Sequence, residues 1–287
     1  MEPVRIAVVK FGCIGCSSLL EIALDERSNR EDIKVRVYST GGKMSPEDCI
    51  EVSVEAARFE PQLVVVVTPN AALEGPTAGR RELRKRLPNA SIIIISDEPA
   101  KKVADELESE GFGYIIVEAD SMIGARRDFL DATEMVLFNS DVLRVLAVTG
   151  VFRMIVSEID RIISQIKSGG KVDLPKIIGS AEFVVSNYGG FTNPYARAKA
   201  IACYEAARRV ARLSTRGCYV LKRREQYIPI VAAAHELMRF AAKLADEARE
   251  IEKSIDSVIR TPHVKSGAVR FKRKLMEPAA SQEPSNT

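Results

Sequence analysis

The sequence predicts an α/β protein: a doubly wound parallel sheet followed by a helical part with a minor β-sheet. Three observations predict it. Over the first 120 residues, short β-branched runs at 4–9, 33–38, 63–67, 91–95 and 114–117 alternate with amphipathic helical stretches, the rhythm of repeated βαβ units. The runs VRIAVV, LVVVV and SIIIIS are apolar nearly throughout rather than alternating, so both faces of the strands are buried and helices must cover the sheet on each side. From about Asp120 the pattern turns helical, with only two stretches of β-type residues, at 176–185 and 218–222.

The organisation that follows is an α/β region over residues 1–120, a helical bundle with a small β element over 121–263, and a basic, then polar tail over 264–287. Asn193 and Pro194 read as a cap and first helical residue, opening a helix through Arg212, since proline is pre-set for the first turn. Pro229 is expected to open a second helix running to about Ser257. In it Ile230, Ala234, Leu237, Ala241, Leu244, Ala248, Ile251 and Ile255 repeat at 4-3 spacing, a heptad seam whose small alanines admit a close partner helix. An intramolecular bundle and a subunit interface both produce such a seam. The tail, rich in Pro, Ser, Glu and Asn at its end, is expected to be at least partly disordered.

Composition narrows the function. With 42 Lys+Arg against 39 Asp+Glu, the net charge of +3 does not announce a nucleic-acid binder. Five cysteines, an odd number without a signal-peptide pattern, point to a reducing cytoplasm. No apolar run approaches the roughly 20 residues of a membrane span. Two His and no Trp weigh against a His-rich metal centre or a Trp-built sugar platform.

Ligands of doubly wound sheets bind beyond the carboxyl ends of the strands, so the turns after each run carry the candidates. The first, FGCIGCSS, offers Gly12, Cys13, Ile14 and Gly15; its small residues admit a phosphate or a polar ring edge, but would serve equally to pack the next helix. Cys13 and Cys16 form a C-x-x-C that a redox pair or an iron–sulfur cluster would use. A cluster needs two more thiolates, and Cys49, Cys203 and Cys218 stand singly. Thr40, Gly41 and Lys43 follow the second run, where Lys43 would meet a phosphate or carboxylate or simply close a turn. Thr68, Pro69 and Asn70 continue the rim with a hydroxyl, a rigid φ and an amide. Further along, DSMIGARR pairs arginines that could hold an anionic tail or merely begin a solvated helix. His235 reads as a satisfied helical histidine, and His263, in IRTPH, as the better functional candidate. Nothing assembles a Ser-His-Asp set, a metal cage or a Walker A loop. Hydride transfer between two bound rings, which asks the protein mainly for position and electrostatics, is therefore attractive by elimination.

Several long segments together resemble the deazaflavin-dependent methylenetetrahydromethanopterin dehydrogenases of archaea. They are LDERSNRED (24–32), GYIIVEADSMIGARRDFLDATEM (113–135), VLAVTGVFR (145–153), TNPYARAKAIA (192–202), and YIPIVAAAHELMRFAAKLADEAREIEKS with VIRTPH (227–263). One departure is FGCIGCSS, where the family turn is expected to carry a single cysteine, so Cys16 is private to this chain and a dithiol role less apt. The resemblance implies reversible hydride transfer between reduced coenzyme F420 and methenyltetrahydromethanopterin, without metal, by a cytoplasmic homohexamer arranged as a trimer of dimers. Rim position and residue type, rather than the resemblance, place the deazaflavin coenzyme at Gly12, Cys13, Ile14, Gly15, Thr40, Gly41, Lys43, Thr68, Pro69 and Asn70. The same reasoning expects Asp97, Lys101, Met122, Arg126, Arg260 and His263 around the pterin or the anionic tails. Rivals on the same scaffold are a thiol or iron–sulfur carrier using Cys13 and Cys16, a non-catalytic deazaflavin-binding module, and a nicotinamide enzyme, for which the glycine fingerprint is out of register.

Overall fold

The computed structural model describes residues 2–26, 29–123 and 128–281, with the side chains of 24–26 left aside. Its strands fall where the apolar runs predict: β1 (Val4–Lys10), β2 (Ile33–Ser39), β3 (Leu63–Thr68), β4 (Ser91–Ser96) and β5 (Gly113–Val117). Between them lie α1 (Gly15–Glu26), α2 (Pro46–Ala57), α3 (Glu74–Arg86) and α4 (Ala104–Ser109). The sheet order is β2-β1-β3-β4-β5-β6, with β1–β2, β1–β3, β3–β4 and β4–β5 parallel. The chain steps one way from β1 to β2 and then returns to build β3 on the other side of β1. That reversal opens a crevice at the carboxyl ends of β1 and β3, the switch point where ligands of open sheets lie.

Burial explains the strands. β3 and β5 are buried at every position, whereas β2, with a sheet neighbour only at β1, alternates and turns Lys34 and Arg36 outward. On one face Ala7, Val9, Val64, Val66, Ile92 and Ile94 pack with Cys49 and Ala56 of α2, Leu83 of α3 and Leu107 of α4. The alternate residues Ile6, Val8, Val65, Ile93, Ile95 and Ile115 are also buried. Each such side chain contributes about 1.5–3 kcal/mol by leaving water, which is why uninterrupted Val and Ile runs appear only in strands covered on both sides.

After β5 come α5 (Ala132–Thr149), α6 (Val151–Lys167), β6 (Lys176–Gly179), α7 (Ala181–Tyr188), α8 (Pro194–Thr215) and α9 (Arg224–Ser254). The chain divides into two compact units: residues 1–117, 155–178 and 259–287 form the first, and 118–154 with 179–258 the second. Segments well beyond residue 120 therefore belong with the sheet.

Three expectations are corrected. The β-type residues at 176–185 do not start a minor sheet: Lys176–Gly179 joins the main sheet beside β5, and Ala181–Tyr188 is helical because Ser180 caps it by accepting from the Phe183 N–H. The stretch at 218–222 is a π-helical turn, Arg216–Val220, prolonging α8. Pro229 does not open α9 but lies inside it; the helix starts five residues earlier at Arg224 and ends at Ser254. The polar sequence ahead of Pro229 offers no capping side chain, and proline's preference for a first turn misleads there. The α8 start is as expected, with Asn193 Oδ1 accepting from Tyr195 N at 2.8 Å and Pro194 at the first position.

The heptad seam is real but turned. α9 buries Tyr227, Val231, Ala234, Met238, Ala241, Ala245, Ala248 and Glu252, packing on α8 within the second unit. Ala234, Ala241 and Ala248 are shared with the expected seam. The intervening positions move by one residue, because each alanine has an apolar neighbour both three and four residues away. The tail is ordered at least to Ser281, tied by bridges pairing Arg260 with Lys272, His263 with Val269 and Phe271 with Ala280.

Candidate functional site

Three turns converge at the carboxyl ends of β1, β2 and β3. Gly12 follows β1 with φ +79°, a left-handed backbone that disfavours a side chain. A Cβ there would lie 2.7 Å from Met44 Sδ and 3.2 Å from Pro69 Cδ, so glycine is what lets the β1, β2 and β3 turns touch. Gly75, on the first turn of α3, serves the same end, since a Cβ would meet the Met44 carbonyl oxygen at 2.0 Å.

Thr40 organises the second turn. Its Oγ1 accepts from the Gly12 N–H at 3.0 Å and donates to the Lys43 carbonyl at 2.6 Å, closing Thr40, Gly41, Gly42 and Lys43 on themselves. Around the Cβ directions of Gly41 and Gly42 nothing lies within 4 Å, so that side of the rim is open. Lys43 stands at its edge with its side chain 76% exposed, 3.7 Å from Asp48. Cys13 is exposed, Ile14 and Gly15 are buried, and Ile14 N–H donates to Ser17 Oγ at 3.3 Å.

On the third turn Pro69 is buried and Asn70 Oδ1 accepts from Ala72 N at 3.0 Å. Thr68 is 1% exposed, and among the described residues its Oγ1 has no hydrogen-bond partner. A buried hydroxyl left unmatched costs roughly 1–3 kcal/mol. Behind the fourth strand Asp97 is 3% exposed and its Oδ1 accepts from Glu98 N at 2.6 Å, starting the 3-10 helix Glu98–Val103 that carries half-buried Lys101.

The structure thus brings together Gly12, Thr40, Gly41, Lys43, Thr68, Pro69 and Asn70, with Asp97 and Lys101 on the turn after the neighbouring strand. Met122 belongs to the second unit, and Arg126 lies outside the described residues. His263 and Arg260 are placed elsewhere. His263 Nε2 is 2.6 Å from Asp160 Oδ2; Asp160 also accepts from Arg30 at 3.0 Å, and Arg30 grips Asp32 with two 2.8 Å bonds. Asp32 immediately precedes β2, so this chain of charges sits at the amino end of the sheet, opposite the rim. Burial would raise the Asp160 carboxyl, but hydrogen bonds from His263 and Arg30 outweigh it and hold it below the ordinary carboxylate range. Asp32 is lowered likewise, burial being overcome by Arg30 and Lys167. Arg260 donates to the Arg273 carbonyl at 2.9 Å. Through these bonds both residues fasten the C-terminal segment. A cavity of about 420 Å³ lined by Gln62, Pro88, Ser91, Ile166 and Gly170 is also at the amino end, beside the starts of β3 and β4.

Sequence reading missed Lys10, the last residue of β1, whose side chain is 11% exposed and pairs with Glu21 of α1 at 2.8 Å. It also missed Met44 and Gly75, which carry no chemistry of their own and matter only through contact. His235 packs edge-on against Phe129, ring centroids 4.9 Å apart, with Nδ1 3.6 Å from Glu134, as a helical histidine with local partners. Among the described residues no two of the five cysteines form a disulfide, and Cys16 is buried. Among the described residues no three His, Cys, Asp or Glu side chains are placed to hold a metal ion together, and no helix is long and apolar enough to cross a membrane.

Comparison with known proteins gives a consistent result. The family profile described as methylene-5,6,7,8-tetrahydromethanopterin dehydrogenase matches residues 4–280. A relative from Archaeoglobus fulgidus named F420-dependent methylenetetrahydromethanopterin dehydrogenase is 52% identical over 95% of this chain and 98% of its own length. One of the same name from Methanocaldococcus jannaschii is 46% identical, covering 96% and 98%. A solved F420-dependent methylene-tetrahydromethanopterin dehydrogenase, in complex with methylene-tetrahydromethanopterin and coenzyme F420, superposes with a TM-score of 0.91 at 44% identity, over 96% of this chain and 99% of that one.

Proposed function

The chain belongs to the methylene-5,6,7,8-tetrahydromethanopterin dehydrogenase family, and we propose that the rim of Gly12, Thr40 and Thr68 is where it holds coenzyme F420. The enzyme is an oxidoreductase that exchanges a hydride between methylene-tetrahydromethanopterin and this coenzyme. Coenzyme F420, when bound, supplies a deazaflavin ring whose C5 accepts or gives the hydride. Oxidising the methylene carbon leaves the methenyl form, and the electron pair travels with the transferred hydrogen.

The residues of the rim act by position. Thr68, buried and with its hydroxyl unmatched among the described residues, carries this reading: it would bond a polar edge of the ring. Ile14 and Pro69 exclude water beside it. Thr40 keeps the 40–43 turn closed so that Gly41 leaves room for a ligand, Cys13 and Gly15 flank the first turn, Asn70 shapes the third, and exposed Lys43 faces anionic groups. Asp97 and Lys101, one strand over, serve the pterin and its tail; for Met122 and Arg126 the same role rests on the sequence alone. No side-chain acid, base or nucleophile is needed, since placing two rings in contact removes most of the barrier that orientation imposes. The test is optical: oxidised coenzyme mixed with protein and methylene-tetrahydromethanopterin, without added metal, should lose its visible band. Persistence of the band, with the coenzyme active in a control, would make the protein a binding module.

The assembly is a homo-oligomer, a hexamer built as a trimer of dimers. Met135, Val136 and Leu137 of α5 are 44%, 68% and 54% exposed, an apolar run that a second copy would cover; light scattering at working concentration reads the mass. A cytoplasmic site of action, in one-carbon metabolism that makes or oxidises methane, is supported by five cysteines that form no disulfide among the described residues and by the archaeal relatives.

A further inference from the structure

α3 is among the most polar stretches of the chain, yet its Arg80 is 1% exposed while the side chain of Arg81 is 57% exposed. Burying a guanidinium is tolerated only if its donors are satisfied, and here they are. Nη1 donates to the Ala71 carbonyl at 2.7 Å and to Thr77 Oγ1 at 2.6 Å, Nε to Glu110 at 3.3 Å, and Nη2 to Glu106. Thr77 Oγ1 in turn reaches the same Ala71 carbonyl at 3.3 Å.

Ala71 is the third residue beyond β3, and its N–H donates to Ser96 Oγ, at the end of β4, at 3.2 Å. One residue is thus held from both sides, by a strand end through its N–H and by a helix-borne cation through its carbonyl. Between β3 and this clamp stand only Pro69, with a fixed φ, and Asn70. The position of Pro69 against Gly12 follows from where Ala71 is held at one end and from the pairing of Thr68 with Ser96 at the other.

We propose that Arg80 is a positioning residue for the coenzyme, setting the turn Thr68–Asn70 through the Ala71 carbonyl. This rests on the reading of the rim as the coenzyme site. Glu106 of α4 and Glu110 just beyond it aim the guanidinium, so the turn inherits its placement from two packed helices and a strand end. Lysine cannot replace it fully, because a point charge lacks the planar fork that serves acceptors in several directions.

The experiment compares Arg80→Met, Arg80→Lys, Ser96→Ala and the Arg80→Met/Ser96→Ala double variant in the full chain, with steady-state kinetics in both substrates and thermal unfolding. The coenzyme KM of Arg80→Met should rise about tenfold, equivalent to roughly 1.4 kcal/mol, with the pterin KM within about twofold. Arg80→Lys should recover part of the loss. The double variant should lose less than the product of the two single effects, because one released end already loosens the residue. A lowered melting temperature with the coenzyme KM within about twofold of the parent, or an equal rise in both KM values, overturns the proposal and leaves Arg80 a strut between α3 and α4. If Arg80→Met does not fold, Thr77→Val decides: a rise confined to the coenzyme KM supports the proposal, and its absence ends it. Gly12→Ala, run alongside, separates the two claims. If it raises the coenzyme KM and Arg80→Met does not, only the positioning role falls; if neither does, the rim is not the coenzyme site.

Discussion

Replacing Gly12 by alanine joins backbone strain, packing and coenzyme binding at one atom. The φ of +79° puts the new residue in the left-handed region, at a cost of about 1–2 kcal/mol for an L side chain. The added Cβ lies 2.7 Å from Met44 Sδ and 2.9 Å from Met44 Cγ, with Pro69 Cδ at 3.2 Å on the other side. Met44 can swing aside and Pro69 cannot, so the 40–44 turn gives first. The stability loss should total about 2 kcal/mol, or roughly 4–8 °C for a chain of this size. Because the yielding turn contains Thr40, whose Oγ1 is bonded to the Gly12 N–H, the coenzyme KM should rise by about tenfold or more, as small misplacements of bound reactants do. Calorimetry and steady-state kinetics at saturating pterin measure the two effects. Adding Met44→Ala should restore part of the KM while the strain remains. An unchanged coenzyme KM with the expected drop in melting temperature would show Gly12 to be a packing residue only; no change in either would refute the geometry.

Glu252, 3% exposed, accepts from Thr192 N, Asn193 N and Thr192 Oγ1 at 2.7–2.8 Å and from Ser257 Oγ at 2.5 Å, at the positive end of α8. Glu252→Ala leaves two backbone N–H groups unmatched and should cost about 3–5 kcal/mol in chemical denaturation, whereas Glu252→Gln, which keeps their acceptor, should cost under about half of that; equal losses would deny the capping role. Asp32 and Asp160 have folded pKa values below their unfolded ones, so their stabilising contribution is present above the unfolded value of about 4 and is lost as pH falls through the lower folded values. Hydrogen exchange of residues 259–281 should therefore quicken below about pH 4 and less steeply in Asp32→Asn; identical profiles would exclude this network as the acid-sensitive tie. Burial pushes the Cys203 thiol up to about 12, and burial with the Asp48 charge pushes Cys49 up to about 11. Peptide mapping after alkylation of native protein should find exposed Cys13 modified first and those two only after unfolding; early labelling of Cys49 would contradict its packing.

The sheet was legible because its signal is local and redundant: five runs of Val and Ile can be buried on both faces in only one way. The rim was legible through that sheet, since glycines, Thr40 and Thr68 directly follow strands. Arg80 was not. In AGRRELRKR it is one of five basic residues, and nothing in the local sequence separates the buried arginine from the exposed Arg81. The partner of His263 was hidden for the same reason: Asp160, whose Oδ2 lies 2.6 Å from its Nε2, stands over a hundred positions earlier.

The sequence by itself determined the strands β1 to β5, the start of α8, the rim turns and the family, because each depends on neighbours within a few residues or on long ordered matches. Only the tertiary structure decided that Lys176–Gly179 extends the main sheet, that α9 buries Val231 and Met238 in place of Ile230 and Leu237 as its stripe, and that Met44 and Pro69 meet at Gly12 while Gly75 lies against the Met44 carbonyl. Those outcomes depend on which distant surfaces compete for the same apolar area. Helical periodicity allows two registers one residue apart, and only the packed partners α8 and α5 select between them.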